Sequence, residues 1–261
     1  MQRNEDQKIH EWLTPVDYGP QQSDLLERRQ EGTGQWLLKS AKYQTWLNAN
    51  KQTLFCPGIP GAGKTILTSI VVDHLTSQYS RDPKIGIAYV YCNFQRKYDQ
   101  KINDLLASLL KQLVQSQPLL PKSVKELYDR HSAKKTLPSL GDITKTLHSV
   151  VSMYSRVFII VDALDECQAA DGCRARLLSE LFALQKSHEM NIFTTSRFLP
   201  DIVNQFKDSE SLKICASRQD VERYLEGHMD QMLSFVQENR QLQTDIKTGI
   251  SEAVDGMYVC I

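Results

Sequence analysis

From its N-terminus onward, the chain alternates two kinds of pattern. Short runs of consecutive apolar residues give way to longer stretches in which apolar side chains recur every three or four positions. The first kind predicts buried strands and the second amphipathic helices. Residues 53–56 (TLFC) form an apolar run that ends in a Pro- and Gly-rich turn. Residues 85–94 are β-branched and aromatic and read as a second strand. Residues 157–161 (VFIIV), 192–195 and 212–215 supply a third, fourth and fifth. Helical spacing runs over 65–78, with Ile66, Ile70 and Leu75 among its apolar positions. Over 102–114 it places Leu105, Leu106, Leu109, Leu110 and Leu113 on one broad face. Further helices are predicted over 122–131, 142–154, 173–186, 218–233 (capped by Ser217) and 242–259. Strands alternating with helices need crossover connections, so the expected fold is α/β, a mainly parallel sheet with helices on both faces.

Composition narrows this reading. A chain of 261 residues can bury a sizeable core as one large or two small domains. Lys plus Arg equals Asp plus Glu, 31 of each, which argues against a dedicated nucleic-acid binder. The longest apolar cluster, 157–164, contains Asp162, and no apolar run is long enough for a membrane span. The N-terminus lacks the apolar centre of a signal peptide, so a cytoplasmic protein is expected. The six cysteines form no CxxC pair, and Cys56, Cys92 and Cys215 in strand-like runs read as buried free thiols. The scattered histidines give no reason to expect a His–Cys metal site. Charge is uneven locally: six basic against three acidic residues over 121–150, six acidic against three basic over 161–189. The first is a solvated helical face. The second puts carboxylates at the end of an apolar strand.

Two motifs carry candidate chemistry. Gly58, Ile59, Pro60, Gly61, Ala62, Gly63, Lys64 and Thr65 match G-x-x-x-x-G-K-[ST] in full, between a strand and the helix that Ile66 continues. The glycines let the backbone turn tightly and aim N–H groups at phosphate oxygens, and the helix adds the positive end of its dipole. Lys64 supplies an ammonium for the β- and γ-phosphates, and the Thr65 hydroxyl a ligand for Mg²⁺. About 100 residues on, VFIIV feeds into Asp162-Ala163-Leu164-Asp165-Glu166. A carboxylate at a carboxyl-terminal strand edge sits where ligands bind in open α/β sheets. Asp162 is the natural metal-side acid, with Asp165 and Glu166 as candidates to activate an attacking water. The fourth strand ends Thr194-Thr195-Ser196-Arg197, and Arg197 would reach the γ-phosphate if that strand lies beside the phosphate loop. Thr194 to Ser196 are weaker candidates for ordering the water.

The combination GIPGAGKT, FIIVDALDE and FTTSR resembles the NACHT branch of the STAND P-loop NTPases, in particular fungal proteins with a nephrocystin-like N-terminal region. RQEGTGQWLL with YQTWL, TLFCPG and ASRQDVERYLEGHM carry the same resemblance, which covers nearly the whole chain. It implies a three-layer P-loop NTPase sandwich with a five-stranded sheet in the order 5-1-4-3-2, which sets the Arg197 strand beside that of the phosphate loop. It divides the chain into a helical leader (1–50), an NTPase core (51–217) and a helical tail (218–261) that begins a further helical region. It also implies a nucleotide-dependent switch using ATP or GTP with Mg²⁺, self-association or pairing with longer NACHT proteins, and a link to fungal non-self recognition or programmed cell death. Arg29, Glu31, Gly32 and Thr33 would approach base and ribose, although a helix start capped by Thr33 explains them almost as well. Relatives continue into a winged-helix domain and sensor repeats, so a sequence ending at Ile261 reads as cut within a helix.

Two alternatives stand beside slow hydrolysis. The chain is a non-catalytic nucleotide-binding module or decoy for longer relatives, or it is a P-loop small-molecule kinase whose lid would be residues 119–138.

Overall fold

The computed structural model describes residues 2–94, 100–167, 172–228 and 234–253. Four helices come first: α1 (Gln2–Leu13), α2 (Gly19–Glu27), α3 (Gln35–Lys39) and α4 (Ala41–Asn48). Strand β1 (Thr53–Pro57) leads through the phosphate loop into α5 (Lys64–Tyr79). Then come β2 (Ile85–Tyr91), α6 (Ile102–Gln115), α7 (Lys122–Ser132), α8 (Leu140–Val151) and β3 (Arg156–Asp162). A single 3₁₀ turn, Leu164–Glu166, precedes α9 (Cys173–Ser187), β4 (Met190–Ser196), α10 (Pro200–Val203) and β5 (Glu210–Ser211). The tail holds α11 (Arg218–His228), α12 (Ser234–Gln237) and α13 (Arg240–Ala253).

All strand pairs are parallel and the order is β2-β3-β4-β1-β5, the expected 5-1-4-3-2 read from the other edge. The central strands are apolar throughout because both faces of the sheet are covered. Successive strand residues point to opposite faces, and β3 shows the consequence. Val157, Ile159 and Val161 enter one core with α6, α8 and α9, while Phe158 and Ile160 enter a second core with α5. The result is a three-layer sandwich.

The leader helices contribute to both cores. Ile9, Leu13 and Tyr18 join the first, and Leu37, Tyr43, Trp46 and Leu47 the second. Polar bonds fix the docking. Trp46 Nε1 donates to the Ile192 carbonyl at 2.9 Å, and the buried Lys111 ammonium donates to the Thr14 carbonyl at 3.0 Å.

Several boundaries differ from the sequence reading. β2 stops at Tyr91 rather than running to Phe94, because the chain turns aside there. Asn93 N–H goes to the Gln100 side chain and Phe94 N–H to Glu166. The fifth strand is Glu210–Ser211, not 212–215. Leu212 and Ile214 still donate to β1 carbonyls, but only as an isolated bridge at Gly58. Helix α8 starts at Leu140 under a Ser139–Asp142 capping box. Helix α3 is entered through Gly34 at φ +76°, while Thr33 donates to the Gln30 carbonyl instead of capping it. Ser217 does cap α11, accepting from Asp220 N–H at 3.1 Å. The ends of the predicted 218–233 and 242–259 helices lie outside the described residues. Cys56 and Cys92 are buried free thiols as expected, but Cys215 is exposed, since it follows the bridge rather than lying in a strand. No helix among the described residues is long and apolar enough to cross a membrane.

Candidate functional site

The site is assembled where β1, β3 and β4 end on the same side of the sheet. Gly61 and Gly63 adopt φ of +75° and +79°, a region in which other L-residues are strained, and Gly63 caps α5. The loop therefore wraps over the N-terminus of a 16-residue helix whose first N–H groups have no helical partner. Lys64 folds back over the loop, its ammonium bonding the carbonyls of Gly58 (3.1 Å) and Ile59 (2.9 Å). Burial pushes its pKa down, while Asp165 and Asp162 pull it up. Of the expected loop residues, Pro60, Gly61, Gly63, Lys64, Thr65 and Ile66 line an open cleft of about 380 Å³ with Ala163, Asp165, Glu166 and Arg197. Gly58 and Ile59 act through their carbonyls, and Ala62 is buried beneath the loop.

Asp162 lies beneath the cleft, almost fully buried and not among the residues that line it. Its Oδ2 accepts from Thr65 Oγ1 at 2.8 Å, and its Oδ1 from Thr68 Oγ1 and Thr195 Oγ1, both at 2.7 Å. Burial raises the Asp162 pKa and the three hydroxyls oppose the rise. Ala163 turns into the left-handed region (φ +51°) and donates its N–H to Thr195 Oγ1 at 2.9 Å. Beyond that turn the next two acids, Asp165 and Glu166, line the cleft. Asp165 is bound twice by Arg197, through Nε to Oδ2 and through the backbone N–H to Oδ1, each at 3.0 Å. Glu166 Oε2 accepts from Phe94 N–H at 3.2 Å, and burial lifts its pKa. Thr194 and Ser196 alternate away from Thr195: their hydroxyls are buried, have no hydrogen-bond partner among the described residues and do not line the cleft.

A second cavity, of about 120 Å³, opens on the other side of the loop. Arg28, Arg29, Gln30, Thr33 and Gly34 form one wall, Leu67 and Ile70 of α5 another, and Asp220 and Tyr224 of α11 the third. Gly63 and Ile66 border both cavities. Asp220 joins the walls by accepting from Gly34 N–H at 3.0 Å, and Arg223 donates to the Gly32 carbonyl at 2.6 Å. Of the four residues expected near base and ribose, Arg29 and Thr33 line this cavity. Glu31 and Gly32 do not.

Sequence reasoning missed Thr68, Phe94, Asp220 and Tyr224. Thr68 had a signal, since it stands three residues after Thr65 on one helical face. The Phe94 contact is made by backbone and carries none. Asp220 meets Gly34 across 186 positions, a separation that no local pattern encodes.

The donor set suits Mg²⁺. It is all oxygen, with one carboxylate and one hydroxyl beside the open cleft, and Mg²⁺ is ordinarily held by one or two carboxylates plus phosphate oxygens and water. Among the described residues no group of three or more His, Cys, Asp or Glu side chains could hold a metal by itself.

The parallel sheet, the phosphate loop and the buried acid at the end of β3 define a P-loop NTPase fold. Within that class the chain belongs to the nephrocystin 3 N-terminal family, whose model matches residues 32–197, from the entry to α3 through Arg197. No curated protein matches the chain significantly. Among solved structures it is similar to the Walker-type ATPase PABY2304 of Pyrococcus abyssi, at 12% identity and a TM-score of 0.52 over 88% of this chain and 65% of that one. It is also similar to the Aeropyrum pernix ORC1 protein in complex with DNA (14% identity, TM-score 0.49, 84% of this chain and 51% of that one). A third is domain III of the Thermotoga maritima replication initiation protein DnaA (14% identity, TM-score 0.43, 83% and 76%). The chain thus spans about half to two thirds of the length of the first two. At these identities the likeness is one of fold.

Proposed function

We propose that the chain binds a nucleoside triphosphate with Mg²⁺ and hydrolyses it slowly, as the nucleotide switch of a signalling protein. One observation carries this reading: a base-sized cavity and a phosphate cleft meet at Gly63 and Ile66, on either side of the loop that would hold the phosphates. The base would lie between the leader segment and α11. Loop N–H groups and the α5 N-terminus would receive the phosphates. Lys64 would exchange its two loop carbonyls for phosphate oxygens, a trade favoured by charge and by its partial burial.

Thr65 and Asp162 would hold the Mg²⁺, which supplies charge neutralisation on the phosphate oxygens when bound. Glu166 is the better placed base. Among the described residues only its Oε2 is engaged, and burial raises its proton affinity toward what a base needs. Asp165 instead holds Arg197 at the rim, from where the guanidinium can turn to a γ-phosphate.

The resemblance to NACHT proteins supports the finer reading: ATP or GTP as ligand, a cytoplasmic switch that self-associates or joins longer relatives, and a place in fungal non-self recognition or programmed cell death. The division at residues 50 and 217 belongs to the same proposal. A labelled-nucleotide binding assay tests the core of it. Binding that Mg²⁺ strengthens and Lys64→Ala weakens supports it, and binding indifferent to both contradicts it.

A further inference from the structure

Asp162 is held by three threonine hydroxyls. Thr65 and Thr195 account for one bond to each oxygen. Thr68 adds another to Oδ1 at 2.7 Å. Thr68 is wholly buried and lies outside the walls of the phosphate cleft, so contact with phosphate does not explain it. Its hydroxyl carries a single proton and has two acceptors in reach. One is the carboxylate. The other, at 3.0 Å, is the Lys64 carbonyl, the ordinary partner of a helical threonine one turn back. The charged and nearer acceptor is the stronger.

The two carboxylate oxygens are therefore unequal. Oδ1 takes two donors, one from α5 and one from β4, and neither threonine borders the cleft. Oδ2 carries only Thr65, which does border it. We propose that Thr68 is a positioning residue: it pins Oδ1 so that Oδ2 faces the Mg²⁺ that arrives with nucleotide. Turning the carboxylate out of this plane would break both Oδ1 bonds in a buried site, where a lost bond is not replaced by water. Because Thr68 shares α5 with Lys64 and Thr65, it also fixes the register between metal-side acid and phosphate loop. The inference rests on the functional reading above.

The test is a Mg²⁺ titration of fluorescent nucleotide binding to the full chain, with an EDTA reference, in the wild type, Thr68→Val and Thr68→Ser. Mn²⁺ binding in the presence of nucleotide, followed by electron paramagnetic resonance, reads the metal directly. Thr68→Val should raise the half-saturating metal concentration about 10- to 100-fold, the usual effect of removing a group that orients a metal ligand. Its nucleotide affinity in EDTA should be unchanged, and Thr68→Ser should restore the wild-type titration. Thr68→Ala, which also lacks the donor, gives the same reading if the valine variant does not fold. Unchanged metal dependence in the valine or alanine variant overturns the inference, as does an equal loss of binding with and without metal. If the wild type binds nucleotide with Mg²⁺ and the donor-less variants match it, only this inference falls. If the wild type binds neither nucleotide nor metal, the functional reading falls with it.

Discussion

Arg197 grips both carboxylate oxygens of Asp165, one through its guanidinium and one through its backbone N–H. Its neighbour Glu166 keeps one oxygen uncommitted among the described residues. The two adjacent acids are thus held differently. Glu166→Gln is expected to lower single-turnover hydrolysis by about 10²- to 10⁴-fold, the usual contribution of a general base, while nucleotide binding survives. Asp165→Asn should reduce hydrolysis less than Glu166→Gln. The reverse order would move the base to Asp165.

Gly34 lies where the leader, α5 and α11 meet. At φ +76° an added Cβ would come within 2.4 Å of Ile70 Cδ1 and 2.9 Å of Leu67 Cδ2, both side chains that wall the cavity of about 120 Å³. Gly34→Ala should cost about 1–3 kcal/mol from backbone strain, before any repacking. It should also weaken nucleotide binding more than it alters Mg²⁺ dependence. Chemical unfolding together with nucleotide titration checks both parts. A variant with wild-type affinity would separate this cavity from nucleotide.

The leader is expected to be indispensable to folding. Trp46 is almost fully buried, stacks edge-on against Phe158 and Phe193, and bonds the Ile192 carbonyl. Trp46→Ala should lower stability by about 3–5 kcal/mol, the range for large aromatic truncations in a core. A chain lacking residues 1–50 should be insoluble or molten. A soluble, cooperatively unfolding 51–261 fragment would contradict this.

Acidification should destabilise the fold before it titrates carboxylates. His10, His74 and His188 are all shifted below their ordinary value of 6.5, in each case chiefly by burial. His10 Nε2 has no partner among the described residues, His74 Nδ1 meets the Tyr43 hydroxyl, and His188 lies against His148. Below pH 6.5 the unfolded chain takes up protons that the folded chain refuses, so stability is full above that value and falls as pH drops through it. The raised Asp162 and Glu166 act with opposite sign, favouring the fold as pH falls toward the carboxylate range. Urea midpoints measured from neutral to mildly acidic pH should decline. A flat profile would show that the histidines are not held neutral.

The central strands were legible because burial on both faces leaves a continuous apolar run, as in VFIIV. The phosphate loop was legible because its chemistry needs fixed residue types at fixed spacing. Asp162 was legible from its place at the end of such a run. The fifth strand was misplaced because its ladder is two residues long and then continues as one bridge, too little for a periodic signal. The smaller cavity was only half visible: Arg29 and Thr33 could be suspected, but their opposite wall, Asp220 and Tyr224, comes from the far end of the chain. Thr68 was overlooked because a threonine within a helix looks ordinary until the strand it faces is known.

The loop and the acid beneath it are expected to form a working nucleotide site. Equilibrium binding of a fluorescent nucleoside triphosphate to the wild type and to Lys64→Ala, with and without Mg²⁺, tests it most directly. Binding strengthened by Mg²⁺ and weakened about 10- to 100-fold by Lys64→Ala, the worth of one or two charged hydrogen bonds, is the predicted result. Binding that is absent, or equal in both proteins whatever the metal, would contradict the account.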